Sequence, residues 1–277
     1  MASYTIKLAL ICLATFSSPT FAAPASPLAK QTTHGWTVTT TGTNTTSLLT
    51  FNTLFAIDFS KATSISSIRI SDYAVPAGAA PYSHSFCKDN VQFNRGDSLS
   101  LLVPGTQAPP GANIPSAEIA TPYDDILYGS VRVVAKSSSV PGTCEGFFFY
   151  QSDAQETDIE ILTHDQQNLW VTNQPTQPAA VTGKVRTTAQ LPVGGNSTDG
   201  YHEYRTDWLP GQTNFYIDGV LRRVFTQNVA DKPSAFVVNN WSNGDPEWSA
   251  GPPRETSELR IRSIVGYFNR TSVADGK

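Results

Sequence analysis

The sequence predicts an all-β protein, an antiparallel β-sandwich or jelly roll, and three observations support this fold class. Short segments of alternating or continuous apolar character recur at regular spacing, and Gly, Pro, Asn and Asp turn signals separate them. No stretch of ten or more residues has the period of an amphipathic helix. Only 15% of the 277 residues are charged, whereas Thr, Ser, Gly, Pro and aromatic residues are frequent, which is typical of a β-protein with many turns.

Fourteen segments have strand character. In chain order they are Leu48–Phe59, Ile65–Ile70, Phe86–Phe93, Leu99–Val103, Ser116–Thr121, Tyr128–Ala135, Gly146–Gln151, Glu156–Leu162, Leu169–Asn173, Tyr201–Trp208, Thr213–Ile217, Val220–Phe225, Ala235–Trp241 and Leu259–Gly266. Tight turns at Asn94–Asp97, Leu209–Gly211 and Asp218–Gly219 join neighbouring segments as hairpins.

The ends of the chain predict its domain organisation. Residues 1–22 have the pattern of a secretory signal peptide, with an apolar run from Leu8 to Phe16 and a small-x-small cleavage site. Residues 23–46 follow as a flexible Thr/Pro/Ser-rich segment, whose Thr-rich part is either a poorly packed strand or a glycosylated linker. Residues 47–270 are predicted to form one domain and 271–277 a polar tail. We therefore expect a secreted, extracellular protein, free or associated with a cell wall.

Secretion bears on the cysteines and on the glycosylation sequons. With Cys12 in the signal peptide, Cys87 and Cys144 are predicted to form a disulfide in an oxidising compartment, and two buried free thiols are the alternative. Asn-x-Ser/Thr sequons predict surface glycans at Asn44, Asn196 and Asn269.

Charge and motif content exclude several classes of partner. The net charge is −4 and basic clusters are absent, which argues against nucleic acid or an anionic membrane as a partner. The four histidines have no metal-ligand spacing, and the sequence contains neither a Gly-x-Ser-x-Gly elbow nor a phosphate-binding loop. We expect a monomer without a metal site.

The stretch Glu156-Thr157-Asp158-Ile159-Glu160 carries the main candidate chemistry. Its carboxylates recur with the period of a strand, so all three should share one face, with Ile159 and Ile161 pointing into the core. Like charges on one strand raise one another's pKa, which a catalytic site can use. The alternative interpretation is a strand with a solvated acidic face.

The spacing of the two glutamates predicts a retaining glycosidase. At about 3.3 Å per residue their Cα atoms lie roughly 13 Å apart, and side chains that lean together bring the carboxyl groups to about 5 or 6 Å. A retaining enzyme needs about 5–5.5 Å between nucleophile and general acid, and an inverting enzyme needs a wider gap for water. Asp158 lies between them and can bond one glutamate while its charge helps keep the other protonated.

These residues resemble the Glu-x-Asp-x-Glu active-site strand of glycoside hydrolase family 16, the family of lichenases, laminarinases, xyloglucan transglycosylases and fungal cell-wall transglycosylases. The resemblance covers about residues 85–268. The other segments that carry it are Tyr128–Val133, Phe147–Tyr150, Gly200–Trp208, Asn214–Gly219 and Asn239–Gly244.

The resemblance implies a β-jelly roll of the concanavalin A-like lectin and glucanase type, with a groove on its concave face. It implies Glu156 as the nucleophile, Glu160 as the general acid/base and Asp158 as the residue that orients and tunes the nucleophile. Sugar contacts are implied for Glu118, Tyr150, Asn239 and Trp241. The aromatic side chains of Tyr150, Trp170, Trp241 and Trp248 could stack on sugar rings, with a place in the core as the alternative for each.

The activity implied is that of a secreted, retaining, endo-acting β-glucanase that hydrolyses β-1,3/1,4-linked glucans. The alternatives are a transglycosylase acting on cell-wall β-glucan, chitin or xyloglucan, and a lectin-like carbohydrate-binding protein without activity. No cofactor is expected for catalysis, and a structural calcium ion, which some relatives have, is not readable from the sequence. The motif has no extra residue before its second glutamate, which resembles the lichenase and transglycosylase branches.

The sequence departs from the family pattern at Thr157, where many members have an apolar residue, and matches it poorly before residue 85. The alternation of the Asn239–Trp241 segment gives one further expectation. If Asn239 and Trp241 face the groove, Asn240 faces the core between the sheets, so its sequon should carry no glycan.

Overall fold

The computed structural model describes residues 30–32, 35–41, 46–176 and 187–273. Within these ranges the chain forms strands and one turn of 3-10 helix at Lys88–Asn90. The strands are β1 Lys30–Thr32, β2 Gly35–Thr41, β3 Thr46–Phe51, β4 Thr53–Asp58, β5 Arg69–Ile70, β6 Tyr73–Val75, β7 Ser83–Phe86, β8 Val91–Asn94, β9 Ser98–Val103, β10 Asn113–Ala120, β11 Ile126–Lys136, β12 Cys144–Ser152, β13 Gln155–Leu162, β14 Asn168–Asn173, β15 Thr188–Pro192, β16 His202–Leu209, β17 Gln212–Ile217, β18 Val220–Phe225, β19 Ala235–Trp241 and β20 Ser257–Arg270.

Two large sheets pack face to face. One has the order β15-β14-β13-β12-β19-β10-β7-β6, with β5 also paired to β10, and the other has the order β18-β17-β16-β11-β20-β9-β8, with β4 also paired to β20. Their strand pairs are antiparallel except for β7 with β10. The predicted all-β, antiparallel jelly roll is confirmed. We call these the nine-stranded and the eight-stranded sheet.

Aromatic contacts between the sheets form the centre of the core. Phe147 of the nine-stranded sheet stacks on Tyr204 of the eight-stranded sheet at 5.1 Å between ring centroids, and Phe149 lies 5.0 Å from Trp208. The buried indole of Trp208 donates its N–H to the carbonyl of Ala230 at 2.7 Å, so its polar atom is satisfied. One face of the nine-stranded sheet therefore packs in the core. Its other face points away from the eight-stranded sheet and can carry a binding site.

A third, smaller sheet covers part of the eight-stranded sheet. It has the order β1-β2-β3, and Val38 and Phe51 pack with Tyr267 of β20 in a separate apolar cluster. The Thr-rich stretch is thus a strand where it is described, which is one of the two alternatives that the sequence left open. The predicted signal peptide and Asn44 lie outside the described residues.

One predicted hairpin begins later than expected. The sequence suggested Phe86–Phe93 as one strand, but Phe86 ends β7 in the nine-stranded sheet and Val91 begins β8 in the eight-stranded sheet. The helical turn between them carries the chain from one sheet to the other. The hairpin around Asn94–Asp97 joins β8 and β9 as predicted.

The side chain of Asn240 lies between the two large sheets, as its alternation predicted. It is fully buried, and its amide Nδ2 donates to the carbonyl of Leu101 in the eight-stranded sheet at 3.0 Å. A glycan on this amide would have to displace the side chains that pack around Asn240 between the two sheets. We expect glycopeptide mapping of the protein expressed through a eukaryotic secretory pathway to recover the Asn240 peptide unmodified. A glycan at Asn240 would contradict the described register of β19.

Glu145 is a buried acid on the core side of β12. Its Oε1 accepts the N–H of Ser138 at 2.9 Å, and its Oε2 has no hydrogen-bond partner among the described residues. Burial raises the pKa of Glu145 to about 7 from an ordinary value of 4.5. The folded protein therefore holds this proton more tightly than the unfolded chain, and folding loses stability as pH rises through this window.

We expect this single carboxyl to lower the free energy of unfolding by about 3 kcal/mol between pH 4.5 and pH 7.5. Glu145→Gln keeps the shape and removes the charge, so it should lose less stability over that range than the wild type. Urea unfolding at several pH values measures this difference. The exposed Glu255→Gln is the matched control, and parallel curves for wild type and Glu145→Gln would contradict the assignment.

Within the described ranges, no helix is long and apolar enough to cross a membrane.

Candidate active site

The acidic strand predicted from the sequence is β13, and its side chains alternate as expected. Ile159 and Ile161 are buried in the core between the sheets. Successive side chains of a strand point to opposite faces. Glu156, Asp158 and Glu160 therefore project together from the outer face of the nine-stranded sheet.

Strand pairing gives each carboxylate its neighbours. Glu156 lies opposite Tyr150 of β12, and Asp158 lies opposite Phe148 of the same strand. The row through Glu160 runs across five strands and consists of Trp170, Glu160, Gly146, Asn239 and Glu118. The structure thus brings the three carboxylates to one face together with all five residues predicted to contact sugar, because Trp241 follows Asn239 by two positions on β19.

Gly146 keeps the middle of this row open. A Cβ atom at this position would lie 2.7 Å from Oδ1 of Asn239, which is closer than a real contact allows. A larger residue would therefore displace Asn239 and crowd the space beside Glu160. The absence of a side chain leaves room between Glu160 and Asn239.

Glu156 and Asp158 are neighbouring carboxyls on the outer face of β13 and share a hydrogen bond. Burial, and after it the charges of Glu156 and Glu160, raise the pKa of Asp158 well above its usual value. Burial also raises the pKa of Glu156 to about 7, and the hydrogen bond with Asp158 acts in the opposite direction. Asp158 is the more deeply buried partner and keeps the proton. It can then donate to an ionised Glu156, which is the state that a nucleophile requires.

Glu160 is held by two donors at one of its oxygens. Its Oε1 accepts the S–H of Cys144 at 3.4 Å and the indole N–H of Trp248 at 3.3 Å. Burial raises the pKa of Glu160, and these two bonds partly offset the rise. A carboxyl with a raised pKa stays protonated to a higher pH, as a general acid must. Trp248 also lies 5.7 Å from Trp170 between ring centroids, so two indoles flank this carboxyl.

Glu118 anchors a polar cluster at the far end of the row. Its Oε1 accepts the hydroxyls of Ser71 at 2.6 Å and Tyr73 at 3.0 Å, and its Oε2 accepts the amide of Asn239 at 3.4 Å. Burial raises the pKa of Glu118 despite these bonds. Ser71 and Tyr73 were missed at the sequence level, because they belong to the stretch before residue 85 and carry no local signal.

A cleft of about 490 Å³ lies beside the carboxylates, over β5, β6, β10, β12 and β19. Its walls include Tyr73, Glu118, Tyr150, Val237 and Arg69. Tyr73 and Tyr150 are the exposed aromatic walls. The three carboxylates of β13 do not line the cleft, but Glu156 lies opposite Tyr150, which is one of its walls. The outer face of the nine-stranded sheet therefore carries the cleft and, beside it, the three carboxylates of β13.

Trp241 is half-buried on the outer face of the nine-stranded sheet and packs against a histidine. It lies opposite Cys144 in the register of β12 and β19. Its ring stacks on His84 at 5.1 Å between centroids and 24° between planes. Burial lowers the pKa of His84 to about 4, so the imidazole stays neutral in this contact.

The predicted disulfide between Cys87 and Cys144 is wrong, because both cysteines are free. Cys144 starts β12, whereas Cys87 follows β7, and β19 and β10 lie between these strands. Three strand spacings amount to about 14 Å, whereas the Cα atoms of a disulfide lie no more than about 7 Å apart. Cys144 contacts Glu160 instead. The pairing of cysteines depends on strand order, which spacing along the chain does not give.

The two other predicted glycosylation sites within the described ranges, Asn196 and Asn269, are both half-buried. Asn196 is half-buried in a turn, where its backbone N–H and its amide bond Asp199. Asn269 is half-buried in β20, where its Oδ1 accepts the N–H of Asn52 at 3.1 Å. Glycans at these positions stay predictions. The described part of the chain contains no group of three or more His, Cys, Asp or Glu side chains that could hold a metal ion.

Comparisons of sequence relate the chain to a bacterial β-glucanase and to a yeast protein. It is 31% identical to a β-glucanase of Paenibacillus macerans over 127 residues, which are 44% of this chain and 51% of the relative. It is 27% identical to Congo red hypersensitive protein 1 of Saccharomyces cerevisiae over 135 residues, which are 46% of this chain and 25% of the relative. The chain thus spans about half the length of the first relative and a quarter of the second.

Solved structures have the same fold. A prokaryotic β-1,3-1,4-glucanase (lichenase) derived from a mouse hindgut metagenome superimposes with a TM-score of 0.63 at 19% identity, covering 79% of this chain and 99% of that one. The apo Crh5 transglycosylase superimposes with a TM-score of 0.59 at 17% identity, covering 80% and 86%. At such identities the likeness concerns the fold alone.

The model of the family described as Glycosyl hydrolases family 16 matches residues 79–258, a range that contains the carboxylate strand and the row of residues beside it. This match extends over more than half of the chain and agrees with the resemblance that the acidic motif suggested. The chain belongs to glycosyl hydrolase family 16.

Proposed function

We propose that the protein is a secreted, retaining, endo-acting β-glucanase that hydrolyses β-1,3/1,4-linked glucans by double displacement. The observation that carries this proposal is the carboxylate row of β13, in which Asp158 bonds Glu156 and Glu160 stands two residues further on the same face. The neighbouring cleft, with tyrosines and a carboxylate in its walls, suits the hydroxyl-rich faces of sugar rings. Similarity to the β-glucanase of Paenibacillus macerans supports this choice of substrate.

The first chemical step uses the two glutamates together. The Glu156 carboxylate attacks the anomeric carbon while Glu160 gives its proton to the glycosidic oxygen, so the bond from carbon to oxygen breaks and the leaving sugar departs with a hydroxyl. Asp158 supports this step because it donates a hydrogen bond to Glu156, which keeps the negative charge of the Glu156 carboxylate localised. In the second step Glu160, now ionised, takes a proton from water, and the water oxygen displaces Glu156.

A transglycosylase is the second candidate, and one feature of the site favours it. Trp170 and Trp248 flank Glu160 as a pair of indoles on the side opposite the cleft. Such a surface suits a sugar acceptor that replaces water in the second step. The Crh5 transglycosylase has the same fold, so the architecture can carry this activity as well.

A panel of polymers tests the proposal. The protein is incubated with barley-type mixed-linkage β-glucan, laminarin, xyloglucan and chitin, each with and without a labelled oligosaccharide acceptor. We expect a rise in reducing ends on mixed-linkage glucan with little label in polymer. Label in polymer without new reducing ends would favour the transglycosylase. Binding of a glucan without any bond cleavage would favour the lectin-like alternative and would contradict both enzymatic candidates.

A further inference from the structure

The free cysteine of β12 has no place in the mechanism above, although it contacts one of the reacting groups. Cys144 is fully buried, and its Sγ lies 3.4 Å from Oε1 of Glu160. The indole Nε1 of Trp248 lies 3.3 Å from the same oxygen. No described residue bonds the other oxygen, Oε2. The two oxygens of Glu160 therefore have different surroundings.

The chemistry of the two donors fixes the location of the proton. An indole N–H donates and never accepts. Burial raises the pKa of Cys144 well above its usual value, so its sulfur carries a proton and donates as well. Oε1 of Glu160 is the oxygen that accepts from both donors, and negative charge on the ionised carboxyl is best stabilised there. The proton of the neutral carboxyl is therefore best placed on Oε2, where no donor competes with it.

We infer that Cys144 is a positioning residue, which together with Trp248 holds Oε1 of Glu160 and leaves Oε2 to give its proton to the glycosidic oxygen. This inference rests on the proposed function. When the proton moves from Oε2 to the leaving oxygen, the bond from that oxygen to the anomeric carbon breaks and Glu156 bonds the carbon. The negative charge left on Glu160 is stabilised at Oε1 by the two donors.

The surroundings of Glu160 allow the effect of Cys144 to be isolated. The titratable groups that face it are Cys144 from β12 and Asp158 and Glu156 from its own strand. The flanking indoles of Trp170 and Trp248 do not titrate. Glu118 lies three strands away in the same row. Loss of the thiol donor should therefore raise the pKa of Glu160, because one bond to the charged form disappears.

Three substitutions at one position separate the proton of the thiol from its volume. Cys144→Val puts two methyl groups in place of the thiol, suits a strand and donates nothing. Cys144→Ala is a second non-donor if the branched side chain disturbs folding. Cys144→Ser restores a donor. Cys87→Val makes the same change at the other free cysteine, which contacts the carbonyl of Ser85 and not Glu160.

Two readouts keep the inference separate from the proposed function. The first is the titration of the Glu160 carboxyl by NMR of protein labelled with 13C at glutamate side chains, assigned by comparison with Glu160→Gln. It needs no activity. We expect the midpoint to rise by about 0.5 pH unit in Cys144→Val and Cys144→Ala and to return toward the wild-type value in Cys144→Ser. Cys87→Val should leave it unchanged.

The second readout is the dependence of kcat/KM on pH with a glucan that the wild type cleaves. The basic limb of this profile reports the general acid of the free enzyme. It should move upward by the same amount in the two non-donor variants. An NMR midpoint that stays within 0.1 pH unit in both would overturn the inference and leave the proposed function untouched. A rise in Cys144→Ser as large as in Cys144→Val would also overturn it, because restoring a donor would then have no effect on Glu160.

Discussion

Replacing Glu156 by Ala should reduce kcat on a β-glucan by a factor on the order of 10⁴ or more, because no other group can form the covalent intermediate. Glu156 lies half-buried opposite Tyr150, and Asp158 is the neighbouring carboxyl that bonds it. Asp158 itself is buried and keeps its proton, so it cannot take over as the nucleophile. Initial rates of reducing-end formation measure the loss.

Azide gives this variant a sharper test. A small anion can enter the space left by the Glu156 side chain and attack the anomeric carbon of an activated aryl glucoside, which should restore part of the activity. One displacement inverts the centre, so the product should be an α-glycosyl azide. Glu255→Ala, at an exposed carboxylate outside the groove, is the matched control. Near-normal cleavage of glucan by Glu156→Ala would refute its role as the nucleophile.

Replacing Glu160 by Ala should reduce kcat on the natural polymer by about 10²–10⁴-fold, the usual contribution of general acid–base catalysis. The loss should be much smaller in the first step with a dinitrophenyl glycoside, whose leaving group needs no proton. The basic limb of the pH profile should also disappear, because burial raises the pKa of Glu160 and this carboxyl supplies the titrating proton.

Azide should act differently on this second variant. Glu156 remains and forms the glycosyl-enzyme, so azide attacks that intermediate and gives a β-glycosyl azide after two inversions. The opposite configurations from the two variants would assign the two roles without further assumptions. An α-azide from Glu160→Ala would mean that the roles of Glu156 and Glu160 are exchanged.

The fold class and the reactive strand were predictable because both depend on local alternation. A period of two along Glu156–Ile161 places the carboxylates on one face whatever the rest of the chain does. Thr157 illustrates the limit of this reasoning. Thr157 stands where many family members have an apolar residue. It is buried in the core, and its hydroxyl donates to Oδ1 of Asn173 at 3.1 Å. Only the pairing of β13 with β14 makes that partner available.

The contacts that tune the site were not predictable, because they join distant parts of the chain. Glu118 meets Ser71 and Tyr73 from more than forty residues earlier. Trp248 reaches Glu160 across 88 positions. The order of β7, β10, β19 and β12 separates Cys87 from Cys144, and the spacing of the cysteines in the sequence contains no trace of that order.

The configuration of the first product tests the central claim most directly. Mixed-linkage glucan is cleaved inside an NMR tube, and the anomeric proton of the new reducing end is followed from the first minutes, before mutarotation. Double displacement by Glu156 and Glu160 predicts that the β-anomer appears first and the α-anomer follows only as the sugar equilibrates. The α-anomer appearing first would contradict the account, because it would require direct attack by water without a glycosyl-enzyme.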